Sequence, residues 1–125
     1  MVNSLKEFNE FRSKMNERIL GCGHVGLKRF WSLDGRAYRE NALDEKTLEL
    51  LGLATSMVLR CDDCVTYHLI RCVQLGVTDE ELQDAVNVSL IVGGSITVPH
   101  IRRAFETIDR CRELQKSDPE LKSLL

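Results

Sequence analysis

Residues 61–68 read CDDCVTYH: two cysteines, Cys61 and Cys64, stand three apart, and His68 follows the second by four. Thiols and an imidazole in that pattern could ligate a metal, close a structural bridge, or cycle between dithiol and disulfide. The choice turns on the backbone that carries them. On a helix, about 100° per residue puts Cys61, Cys64, His68 and Cys72 on one face. At ~1.5 Å of rise per residue, however, Cys61 and Cys72 stand roughly 16 Å apart along the axis, whereas tetrahedral zinc holds its ligands at ~2.0–2.3 Å. One helix cannot supply all four. The chain has no second Cys-x-x-Cys or histidine pair, and His24 and His100 are isolated. A structural zinc site is therefore the poorest fit.

A redox pair fits better. The thioredoxin arrangement places Cys-x-x-Cys after a strand, but the stretch before Cys61, LELLGLATSMVLR, reads as helix. A helical pair can still work. The first cysteine sits at a helix N-terminus, where free N–H groups and the helix dipole favour a thiolate. The second lies one turn on, within reach for a disulfide. His68 is placed as a base for Cys64 more than for Cys61. Asp62 and Asp63 act against a thiolate by like-charge repulsion, so both are expected to point to solvent and serve as first-turn helix acids. Cys22, Cys72 and Cys111 read as packing residues, His24 and His100 as core or surface residues, and Tyr67 as packing or as part of the site wall.

The elements that must hold these groups are helical. Leu5, Phe8, Phe11, Met15 and Ile19 form one face of a helix from Ser4 to Leu20, which stops at Gly21-Cys22-Gly23. A second helix runs from Val25 to about Ala37; its Phe30 and Trp31 are candidates for a core or an interface. Asp44 is a candidate N-cap for a third, with Glu45 in its first turn. That helix is apolar nearly all round from Leu48 to Leu59 and so is central or at an interface; Glu49 interrupts the run. The fourth runs from about Asp62 to Leu75 and ends at Gly76. Thr78 and Glu81 form a capping box that opens a fifth, which ends at Gly93-Gly94. The sixth starts near Thr97 or Val98, with Pro99 suited to a first turn. The tail from Ser117 onward is polar and expected to fray.

Composition agrees with one all-α domain over residues 1–125. The chain is 43% hydrophobic and 29% charged, enough for a core, although a chain this short buries only about two-thirds of its unfolded surface. Oligomerisation would help it. A net charge of −2 and a pI near 5.9 give no footprint for nucleic acid. No apolar run approaches the ~20 residues that cross a bilayer, and MVNSLKEFNEFRSK has no signal-peptide core. Five cysteines, an odd number, with no secretory signal argue against a disulfide framework. A cytoplasmic protein is the expectation.

Glu49, eleven residues, then Cys61-x-x-Cys64-x-x-x-His68 resembles the pattern of the AhpD-like proteins of the carboxymuconolactone decarboxylase superfamily. The stretch from Leu43 to Gly94 resembles the family core, and the last helix does so more loosely. The resemblance implies an all-helical fold of about six helices, assembled as a symmetric trimer or hexamer. It implies peroxidase or disulfide-reductase chemistry on a hydroperoxide or small disulfide, with no metal, flavin or haem. Electrons would come from an external dithiol or a disulfide-reductase partner. Carried over by position, Cys64 attacks the peroxide and becomes a sulfenic acid, Cys61 resolves it to the Cys61–Cys64 disulfide, and Glu49 and His68 relay protons. A sulfenic acid condenses readily with a neighbouring thiol. Some family members carry a further histidine where Asp63 or Cys72 stands here, which implies a simpler relay.

Two other readings stand beside this one. A lyase or decarboxylase of the same fold, acting on a lactone, would use His68 or Arg60 and neither cysteine; members that decarboxylate lack the cysteine pair. A non-enzymatic oligomer that senses thiol redox state would oxidise once and never turn over.

Overall fold

Local hydrogen bonding sets most of the element boundaries. Asp44 caps a helix by accepting from the Thr47 backbone N–H at 2.8 Å. Thr78 accepts from the Glu81 N–H at 3.1 Å while the Glu81 carboxylate accepts from the Thr78 N–H at 2.9 Å, a complete capping box. Gly76, at φ +83°, supplies the left-handed turn just before it. The computed structural model describes residues 4–125, the side chain of Ser4 excepted. The first three residues of the stretch read above for a signal peptide lie outside the described residues. The helices are α1 (Ser4–Leu20), α2 (Val25–Ala37), α3 (Glu45–Val58), α4 (Asp62–Gln74), α5 (Asp79–Gly93) and α6 (Val98–Gln115), with a single 3-10 turn, Ser95–Thr97, before α6. The described residues contain no strand, so the all-α expectation holds. None of their helices is long and apolar enough to cross a membrane.

α3 is the centre: it packs on both α4 and α5, and α4 packs in turn on α6. Leu53 and Met57 of α3, Leu69 and Ile70 of α4 and Leu82 of α5 are fully buried between them. The Ser89 hydroxyl donates to the Ala54 carbonyl at 3.1 Å and ties α5 to α3. The central helix and its C-cap nevertheless leave Leu51 and Leu59 exposed, as are Val88, Ile91 and Val92 on α5. α2 contributes no buried residue and packs mainly on α1. Phe30 and Leu33 stand in solvent and Trp31 is half-buried, so this chain's own core is not where Phe30 and Trp31 go.

The tail does not fray as its polarity suggested. Leu121 and Leu124 are buried. Their carbonyls accept from the Gln74 amide at 3.1 and 3.0 Å, and the Leu125 N–H donates to the Asn9 side chain at 2.7 Å. Two leucines three residues apart outweigh the polar residues between them once α4 offers hydrogen bonds to the backbone.

The joint between α3 and α4 decides where the cysteines stand. Leu59 caps α3, Arg60 follows in the left-handed region at φ 61°, and Cys61 comes next. The Arg60 N–H donates to the Met57 carbonyl at 3.0 Å and the Cys61 N–H to the Ser56 carbonyl at 3.1 Å. These are the paired bonds of a Schellman motif, with arginine where glycine is usual. The chain reverses in those residues, and α4 starts at once with Cys61 as its N-cap.

Candidate active site

Cys61, as N-cap, accepts through Sγ from the Cys64 N–H at 3.3 Å. A sulfur there faces the unpaired N–H groups of the first turn, which favour negative charge. Cys61 and Cys64 are joined as a disulfide across a Cα–Cα separation of 5.2 Å. Cys61 is half-buried and Cys64 exposed. Cys64 opens into a cavity of about 400 Å³ that His68 and Tyr67 also line. The opposite wall is the apolar stripe of α1: Phe8, Phe11, Met15 and Ile19. That stripe, read from sequence as one face of a helix, thus faces the cavity, and only its first member, Leu5, belongs to the core. Arg12, from the same helix, stacks 4.3 Å over the Tyr67 ring.

His68 lies one turn beyond Cys64, on α4, and Glu49 sits across from it on α3. The His68 Nδ1 is 2.8 Å from the Glu49 Oε1, and both residues are buried, at 7% and 2% exposure. Arg71 approaches the second carboxylate oxygen to 3.8 Å, so the carboxylate is balanced from two sides. The other imidazole nitrogen, Nε2, is 3.4 Å from the Tyr38 hydroxyl. The ring rests on the backbone of α3 at Gly52, where a Cβ would come within 2.7 Å of the imidazole Cε1. Only glycine lets the ring lie there. Burial raises the phenol pKa of both Tyr38 and Tyr67, with further upward pushes from the acids beside them, Glu49 and Asp34.

The remaining thiols are of another kind. Cys72 and Cys111 are buried and their pKa values are pushed up to about 12, by burial first in both. They are packing residues held as thiols. Cys22 is exposed. His24 is a surface N-cap, its Nδ1 accepting from the Gly26 N–H at 3.1 Å.

One expectation needs correction. Asp63 is exposed, but Asp62 does not point freely to solvent: it is half-buried, 2.8 Å from the His100 Nδ1 and 3.6 Å from Arg103, both on α6. The packing of α6 on α4 brings these partners to it, and the charge of Arg103 offsets part of the repulsion that Asp62 would exert on the cysteines. Among the described residues, no three His, Cys, Asp or Glu side chains gather where a metal ion could sit.

The structure therefore brings four sequence candidates into one locus: Cys64 beside His68, Glu49 behind His68, and Cys61 bonded to Cys64. Tyr38, Gly52 and the Asp62–His100 pair escaped the sequence reading. A signal existed only for Gly52. It interrupts a strong helix three residues after Glu49, where glycine costs about 1 kcal/mol against alanine.

A bundle of this topology with Cys-x-x-Cys at the head of its fourth helix and a buried Glu–His pair behind it defines a class. The sequence profile of the carboxymuconolactone decarboxylase family matches residues 26–107, and the chain belongs to that family. Among solved structures it is similar to TM1620 of Thermotoga maritima. One crystal structure of that protein is 51% identical, covers 90% of this chain and 98% of its own, and superposes with a TM-score of 0.88. A second is 47% identical over 95% and 99% of the two chains, at 0.87, and bears the suggestion of a part in the antioxidative response. A family protein of Legionella pneumophila, lpg0406, shares the fold at 23% identity and a TM-score of 0.80, over 88% of this chain and 98% of its own. An uncharacterised protein of the cox locus of Paracoccus denitrificans is 25% identical over 80 residues, which are 64% of this chain and 72% of that protein.

Proposed function

We propose that this chain is a thiol-dependent oxidoreductase that reduces hydroperoxides or small disulfides through Cys61 and Cys64. The observation that carries the proposal is the placement of an exposed Cys64 in a cavity that His68 also lines, with Glu49 buried behind His68 and Cys61 bridged to Cys64. The suggested antioxidative part of the Thermotoga maritima protein points the same way.

In the dithiol form, the Cys64 thiol gives its proton to the His68–Glu49 pair. The thiolate attacks the terminal oxygen of the hydroperoxide: an S–O bond forms, the O–O bond breaks, and the leaving alkoxide takes the proton back to become an alcohol. Cys64 is then a sulfenic acid. Cys61 attacks its sulfur, forming the disulfide and releasing water made from the sulfenic hydroxyl and the Cys61 proton. An external dithiol, free or held by a disulfide-reductase partner, returns two electrons and two protons and is itself oxidised to a disulfide. None of these steps needs a metal, flavin or haem. A reducing compartment such as the cytoplasm keeps the donor available.

The number of large apolar residues left in solvent on α2, α3 and α5 supports a homo-oligomer, a trimer or a hexamer. The lyase reading gains nothing from Arg60, which is exposed and does not line the cavity of Cys64 and His68.

The test counts free thiols in the reduced protein before and after one equivalent of hydroperoxide, for wild type and Cys64→Ser, with peptide mapping. Wild type is expected to lose two thiols as a Cys61–Cys64 bridge while the variant forms none. If both keep every thiol, the peroxidase reading fails and lactone cleavage becomes the chemistry to assay.

A further inference from the structure

His68 has no spare nitrogen. A carboxylate only accepts, so the hydrogen between His68 and Glu49 belongs to Nδ1. The lone pair of the neutral ring is then on Nε2, and Nε2 faces the Tyr38 hydroxyl at 3.4 Å. One face of the ring is closed by the α3 backbone at Gly52. The tyrosine ring lies 5.1 Å from the imidazole, centroid to centroid, at 50°, so the hydroxyl is held by the packing of its own ring. Tyr38 itself is not among the cysteine-bearing elements: it caps the C-terminus of α2, the helix with no buried residue. A helix that adds nothing to the core thus delivers one hydroxyl to the one basic nitrogen of the site.

We propose that Tyr38 is a positioning residue for His68, locking its Nδ1–H tautomer together with Glu49, and that protons entering or leaving Nε2 cross the Tyr38 hydroxyl. The inference rests on the proposed thiol chemistry. In the forward step the hydroxyl gives its proton to Nε2 and takes one, through water, from the Cys64 thiol in the cavity that His68 also lines. The reverse transfer delivers that proton to the departing alkoxide. Tyr38 ends each transfer as it began, and the net result is one proton moved, with no change in electrons. The phenol must stay protonated to donate, and its surroundings favour that. Burial and the charges of Asp34 on α2 and Glu49 on α3 all keep Tyr38 neutral, as does Tyr67 of α4.

The test uses reduced full-length protein and cumene hydroperoxide in single turnovers, with nitrogen NMR of the histidine ring as a second readout. Tyr38→Phe keeps the ring and removes only the hydroxyl. The expected result is an unchanged melting temperature and a loss of about tenfold to hundredfold in the rate of Cys64 oxidation, the usual range for a positioned proton-transfer group. The dependence on peroxide concentration should stay the same, and the Nε2 resonance of His68 should shift. Incorporating fluorotyrosine, a more acidic phenol, at position 38 should restore the rate and move the alkaline fall of its pH profile to lower pH. A purely structural role predicts the Nε2 shift but neither the rate loss at unchanged stability nor the move of the pH profile with fluorotyrosine. If Tyr38→Phe reacts within twofold of wild type, or leaves the His68 nitrogens unmoved, this inference falls and the proposed function stands. If wild type itself forms no bridge, both fall together.

Discussion

Two histidine–carboxylate pairs involve residues of α4, the helix that the cysteines open, and each pair meets at the same distance. Glu49 and His68 meet at 2.8 Å, and Asp62 and His100 meet at 2.8 Å. Their surroundings differ. The side chains of the first pair are 3% and 9% exposed; those of the second are 42% and 19% exposed. A polar pair near water is screened and worth little, while a buried one depends wholly on its partners, because a polar group left alone there has no water to turn to. Distance alone would rank the pairs as equals. Burial makes the first a fixed part of the interior, with Arg71, Tyr38 and the Gly52 backbone built around it, and leaves the second a surface adjustment of local charge.

The sharpest break between the pairs is expected from Glu49→Ala. Removing Glu49 leaves the buried Nδ1–H of His68 without its acceptor, at a cost of about 1–3 kcal/mol, a large share of the stability of a small domain. Urea unfolding of the variant should show it, together with loss of peroxide-driven thiol oxidation. Glu49→Gln separates the two effects: its amide oxygen still accepts from the His68 Nδ1–H, so most of the stability should return while the rate does not. A Glu49→Ala protein as stable as wild type would mean that burial does not distinguish the pairs.

A smaller effect comes from the wall beneath the buried pair. Gly52→Ala puts a methyl group within 2.7 Å of Cε1 and 2.9 Å of both ring nitrogens of His68. The ring cannot keep its bond to Glu49 and make room. Overpacking of this kind costs about 1–3 kcal/mol, and helix propensity offsets part of it, since alanine is favoured over glycine by about 1 kcal/mol. The net stability change should therefore be modest while the oxidation rate falls well below wild type. A stabilised and fully active Gly52→Ala would show that the close approach of ring and backbone is dispensable.

These predictions also mark how far the residues alone reach. Spacing along one chain shows what a helix carries. It placed Cys61 at an N-terminus, Cys64 and His68 one turn apart, Asp44 and Thr78 as caps, and a helix at each of six positions. What spacing does not show is which helix lies against which. Tyr38 is thirty residues from His68 and Asp62 thirty-eight from His100, and both contacts exist only because helices distant in sequence pack together. The same limit explains the tail: Leu121 and Leu124 look isolated among polar residues until Gln74 of α4 is placed beside them. Glu49 was reached only through resemblance to a family pattern, because an acid in an apolar helix reads equally well as a solvated residue until α4 covers it.

The smallest effect is expected at the exposed pair, and it tests the comparison from the other side. Asp62→Asn removes the charge that His100 and Arg103 share, at a cost below about 1 kcal/mol. It also leaves the Arg103 guanidinium near the cysteines without its counter-charge, so the oxidation rate should hold or rise slightly at low ionic strength. Salt then discriminates. At 1 M the screening length is about 3 Å, short enough to quench an exposed pair. The difference between Asp62→Asn and wild type should vanish there, in both stability and rate. The deficit of Glu49→Ala should survive unchanged, because no salt reaches a pair enclosed by α3 and α4. If the two variants respond alike to salt, the pairs share one environment and the distinction drawn from their burial is wrong.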